Sequence, residues 1–160
     1  MGVKVTGIGE VSDLIRQLET TTRRRAVKKL HEKGVEMRDL ARKMAPIDDG
    51  NLEKAIKVRP ETLGDRARDE MGRFVRTEIE VYVDVDMPVP DRPGKVVGDY
   101  AFEIHEHLTP AGPMQLGPRS EEKNQNNGGV EVGGGFLDRA AAEIEKGLEA
   151  AFNEILSGPL

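Results

Sequence analysis

Met44-Ala45-Pro46-Ile47-Asp48-Asp49-Gly50-Asn51-Leu52-Glu53-Lys54-Ala55-Ile56-Lys57-Val58 is the stretch on which the fold turns. Pro46 has no backbone N–H and disfavours helical geometry at Ala45, so a helix arriving from upstream ends there. Asp48, Asp49, Gly50 and Asn51 follow, and each favours a turn: the carboxylates accept nearby N–H groups and Gly50 admits a positive φ. Ile56 and Val58 then alternate with Lys57 and Arg59, the period of a half-buried strand.

Upstream, Val27, Leu30, Gly34, Met37, Ala41 and Met44 are spaced by three and four residues, which predicts a helix over about 23–44 with one apolar stripe. Gly34 in that stripe weakens helix propensity by about 1 kcal/mol relative to alanine, and is read as a close-approach point for another backbone. Before it, Val11, Leu14, Ile15 and Leu18 share a face behind Ser12, a short first helix interrupted by Thr20-Thr21-Thr22. Residues 1–9 read as an extended arm or a short edge strand.

Downstream, residues 61–73 have no apolar periodicity and read as the tip of a long hairpin. In the return strand Ile79, Val81, Val83 and Val85 alternate with Glu78, Glu80, Tyr82, Asp84 and Asp86, one face aliphatic and the other mostly acidic. Pro88, Pro90 and Pro93 end it. Residues 95–108 fit strand and helix patterns about equally and are read as a strand running into a short helical turn. Residues 109–135 carry no periodicity and are expected to order only against a partner. Leu137, Ala141, Ile144, Leu148, Ala151, Phe152 and Ile155 mark a last amphipathic helix over 136–156, expected to pack on the sheet.

This order predicts one α+β domain over residues 1–160, a small antiparallel sheet with a long hairpin packed against two N-terminal helices and one C-terminal helix. The 160 residues suffice for a core, which must be aliphatic because aromatic residues make up 4 % and Trp is absent. A net charge of −5 argues against a dedicated nucleic-acid binder. The chain has no cysteine, which excludes disulfides and thiol catalysis. No apolar run approaches the roughly 20 residues of a membrane span.

Three clusters invite chemistry. Arg23, Arg24, Arg25, Lys28 and Lys29 gather cations at a helix start, against its dipole; the bland reading is a solvated face, and the functional ones are an acidic neighbouring subunit or a DNA backbone. His105 and His107 lie on one side if their segment is a strand, which raises the alternative of a small metal-dependent enzyme, though a third well-spaced ligand is missing. Gly133-Gly134-Gly135 lacks the lysine and preceding strand of a phosphate loop and reads as a flexible lead-in to the last helix. No nucleophile or acid–base constellation is present, so neither catalysis nor a cofactor is expected.

Ala45-Pro46-Ile47-Asp48-Asp49-Gly50-Asn51-Leu52, with Ala55-Ile56 behind it, resembles the signature "alanine, proline, hydrophobic, aspartate, threonine, glycine, any residue, leucine" of the tail-completion or head-to-tail joining (neck) proteins of long-tailed double-stranded DNA bacteriophages. Asp49 stands where that family has threonine. The helix before the signature, Tyr100-Ala101 with His105-Glu106, and Phe136-Leu137-Asp138-Arg139-Ala140 resemble further family blocks in the same order, with His107 in place of a glycine.

The resemblance implies a non-enzymatic virion protein of the neck, assembled in the host cytoplasm. It would form a ring with itself, commonly hexameric, between the head connector or stopper and the tail tube or tail terminator protein. Genomic DNA would pass through without specific binding, and no membrane is involved. In that setting Ala45, Pro46, Asp48, Asp49, Gly50 and Leu52 form the signature turn. Arg23, Arg24, Arg25, Pro110, Pro113 and Arg119 are candidate partner contacts, with the hairpin tip and the 109–135 loop flexible until assembly. Glu78, Glu80, Asp84 and Asp86 would line the channel, like charge keeping the duplex from sticking.

Overall fold

The computed structural model describes residues 2–3, 20–47, 49–61, 78–108 and 114–157. In chain order these form β1 (Gly2–Val3), α1 (Thr20–Met44), α2 (Asn51–Ala55), β2 (Ile56–Arg59), β3 (Glu80–Val83), α3 (Gly98–His107), α4 (Pro118–Asn126) and α5 (Phe136–Ser157). The expected first helix, Asp48, Pro110, Pro113 and the hairpin tip beyond Glu61 lie outside the described residues. None of the described helices is long and apolar enough to cross a membrane.

The sheet is antiparallel in the order β1-β3-β2, with Ile56 opposite Val83 and Val58 opposite Val81. This is the predicted α+β arrangement with its long hairpin. Ile56, Val58, Val81 and Val83 point inward, as the period of two requires, and the apolar stripe of α1 lies over them with Leu30, Met37, Ala41 and Met44 buried. Thr20–Thr22 form the first turn of α1 rather than a break before it.

Gly34 is a close-approach point, but for side chains rather than a backbone. A Cβ built there would clash with Ile79 Cγ2 and lie 3.4 Å from Val58 Cγ2, so the missing side chain lets α1 settle onto the sheet. That settling also decides the place of α5. The inner sheet face is already covered by α1, and α5 therefore packs chiefly along α1 and meets the sheet mainly at β1, instead of lying across the sheet as expected. Phe136, Leu137 and Ala140 of α5 are fully buried, and Ile144, Leu148 and Phe152 pack against the same core.

The largest departure from the sequence reading is in residues 109–135. Residues 118–126 form α4, and α4 with the segment after it satisfies the open end of α1. A helix leaves its last four carbonyls without intrahelical donors. Here Ala41 O accepts from Ala45 N at 2.8 Å, Arg42 O from Lys123 Nζ at 2.7 Å, Lys43 O from Asn127 Nδ2 at 2.9 Å and Met44 O from Gly133 N at 2.9 Å. Lys123 Nζ also donates to Ala45 O at 2.6 Å and pairs with Glu53. The same chain segment ends α3: Gly134 N donates to Leu108 O and Gly135 N to His105 O at 2.7 Å. A Cβ on Gly134 would collide with Leu108 O and come within 2.8 Å of His105 O. The triple glycine is therefore a backbone clasp between two helix ends, not a flexible lead-in.

Two stability effects follow. Gly34→Val raises side-chain volume where Ile79 and Val58 already fill the space, and is expected to lower unfolding free energy by about 1–3 kcal/mol in urea titration. Lys123→Met removes a part-buried cation from two carbonyls and Glu53, and is expected to cost about 2–4 kcal/mol by the same measurement.

Candidate functional site

The signature turn leaves α1 at Ala45, which is fully buried, and passes Pro46, also buried, to Gly50 and Leu52. Gly50 takes φ 74° at the N-cap of α2, a left-handed geometry that favours glycine, and Leu52 points into the core. The turn is read by the first turn of α4. Ser120, 3 % exposed, accepts from Ile47 N at 3.0 Å and donates to Ile47 O at 2.9 Å, a reciprocal pair that fixes the chain after the proline. Arg119 Nη1 meets Asp49 Oδ1 at 3.1 Å. Aspartate in place of the family's threonine thus supplies an ion pair that a hydroxyl would not. Arg119, expected as an outward contact, engages the turn of its own chain.

Beside the turn runs a groove of about 700 Å³, bounded by Pro46, Asp49 and Leu52 on one wall and by Tyr100 and Ile104 of α3 on the other. Arg92 and Arg119 stand at its rim with Asp99 and Glu103. Sequence reasoning missed Ser120, Lys123 and Asn127. Pro118 at the first helical position and Glu121 in the first turn are the start signals that mark α4.

The outer sheet face is not an acidic wall. Asp84 Oδ2 lies 2.6 Å from Lys57 Nζ, and Glu80 lies 3.9 Å from Arg59 on the neighbouring strand. The hydrogen bond from Lys57 holds the Asp84 carboxyl below its ordinary range and raises Lys57 in turn. Arg59 also sits over the Tyr82 ring at 4.7 Å. Glu78 is half-buried and Asp86 exposed, so the row of acids seen in one strand is offset by cations of the next. Beside β2, Arg42 donates through Nε and Nη2 to Ile56 O at 3.0 and 2.7 Å, and its burial lowers the guanidinium pKa.

The histidine pair does not converge. Residues 98–107 are helical, so His105 and His107 project about 200° apart around the axis rather than to one side of a strand. His105 is buried against Phe136, ring centroids 4.9 Å apart and nearly perpendicular, while His107 is exposed. Among the described residues no group of three or more histidine and carboxylate side chains is placed to hold a metal ion. At the start of α1, Arg24, Arg25 and Lys28 are exposed, and Glu32 lies 4.0 Å from Lys28 and 3.8 Å from Lys29.

Comparison with protein families matches residues 10–90 to the HK97-gp10-like family, described as "Bacteriophage HK97-gp10, putative tail-component". Neither the comparison with curated proteins nor that with solved structures found a match. The family match takes in α1, the signature turn, α2 and both strands of the hairpin, and ends before the further blocks near Tyr100 and Phe136. With half of its residues matched in one run that contains the signature, the chain belongs to the HK97-gp10-like family of bacteriophage structural tail components.

Proposed function

We propose that this chain is a structural protein of the phage neck, where copies of it close into a ring joining the head connector to the tail tube. The observation that carries the reading is the family match over residues 10–90, because it spans the long helix, the signature turn and the hairpin as one unit. A ring made of one chain uses two different surfaces of each subunit, so that closure depends on the angle between neighbours. The rigid course of the turn, held by Ser120 and Lys123, suits a subunit that must set such an angle.

Genomic DNA passes through the ring without specific binding. The net charge of −5 supports passage over retention, since holding phosphates requires a basic field. If the outer sheet face lines the channel, its Lys57–Asp84 and Arg59–Glu80 pairs offer DNA a surface of balanced charge, which neither captures nor strongly repels the backbone.

Peptide mass spectrometry on gradient-purified phage particles tests the reading. The chain is expected at ring-scale copy number per portal, alongside connector and tail proteins. Its absence from intact particles would falsify the neck assignment.

A further inference from the structure

The C-terminal end of α3, α4 and the first turn of α5 border an open cavity of about 740 Å³. The carboxylates of Glu106, Glu121, Glu131 and Asp138 line it with the guanidinium of Arg139. At its wall His105 is 4 % exposed, with Nδ1 3.1 Å from Glu106 Oε1. A carboxylate only accepts, so Nδ1 carries the proton, and in the neutral ring Nε2 is left as an acceptor. That Nε2 has no hydrogen-bond partner, and Asp138 Oδ2 lies 3.7 Å away. Arg139 Nη2 is likewise buried and without a partner, and it is a donor. Buried polar atoms are seldom left unpaired. An unpaired acceptor set among four carboxylates complements a basic segment, whose ammonium and guanidinium groups offer N–H donors and positive charge.

Such a segment exists in this chain, at the wrong end for its own cavity. Gly133, which lines the cavity, is bonded to Met44 O at the last turn of α1. The cations Arg24, Arg25, Lys28 and Lys29 stand at the first turns of the same helix. The 15–20 residues between those cations and Met44 separate the two by about 22–30 Å at 1.5 Å per residue. Within one chain they cannot meet.

We propose that the cavity receives the basic start of α1 from a second copy of this chain, a head-to-tail contact between neighbouring subunits. The inference rests on the ring reading, and it names the two different surfaces that a heterologous ring requires.

Charge reversal tests it in a phage that lacks its own copy of the gene and is supplied with variants in trans, incorporation per particle being measured by peptide mass spectrometry. Glu121→Lys with Glu131→Lys, and separately Arg24→Glu with Lys28→Glu, are each expected to lower incorporation at least about tenfold, because like charges then face each other. Circular dichroism melts on the same variants confirm that they remain folded. The four reversals combined are expected to restore incorporation to within about threefold of the unaltered chain. Combined variants no better than either pair would mean that another occupant fills the cavity, such as a basic segment of a different virion protein, and the inference is overturned. An unaltered chain that never enters particles removes the neck reading itself, and this contact with it.

Discussion

When Pro46 stops α1, the carbonyls of Arg42, Lys43, Met44 and Ala45 leave the helix end with no following amide to receive them. Left bare in a partly buried position, each would cost on the order of 1–3 kcal/mol. The chain answers from residues about 80 positions later. Lys123, Asn127 and Gly133 supply the donors, and the geometry of the rest follows from that supply. Lys123 can reach two carbonyls only if α4 lies across the end of α1, and that placement brings Ser120 onto Ile47 and Arg119 onto Asp49. Gly133 can donate to Met44 only if the next two glycines pass close under α3, which in turn fixes where α5 begins.

Such an arrangement makes the signature turn a fixed point rather than a loop. Its path is determined from both sides, by the proline and the left-handed glycine of its own sequence and by the hydroxyl, ammonium and guanidinium of α4. In the ring we propose, a subunit that transmits a docking angle needs rigidity at its connecting turn, whereas a binding loop that folds on its target would not need its backbone groups already satisfied. Charge is distributed in the same spirit. Lys57 and Arg59 of β2 meet Asp84 and Glu80 across the sheet.

Much of the first half was legible because it rests on local rules. The stripe Val27, Leu30, Met37, Ala41 and Met44 follows helix period, the inward Val81 and Val83 follow strand period, and Pro46 with Gly50 marks the turn between them. What could not be read was whatever depends on a partner far along the chain. The acids in and beside β3 looked like one charged wall because the sequence of a single strand does not show Lys57 and Arg59 beside it. His105 and His107 looked like ligands on one side only while their segment passed for a strand. Polar residues of α4 lack an apolar period because their work is to bond the end of another helix, so a reading based on hydrophobic spacing sees only a loop. The glycine run likewise gains its meaning from Met44, His105 and Leu108, none of them neighbours of all three glycines in sequence.

Amide hydrogen exchange on the isolated chain, resolved by peptide mass spectrometry, addresses the central claim most directly. If the last turn of α1 is held by α4 and the glycine clasp, peptides covering 118–135 and those covering 40–47 should become protected together and lose protection together as urea is raised. Exchange of 118–135 at unfolded-chain rates, with 40–47 still protected, would show that the end of α1 is satisfied by something other than this segment and would contradict the account.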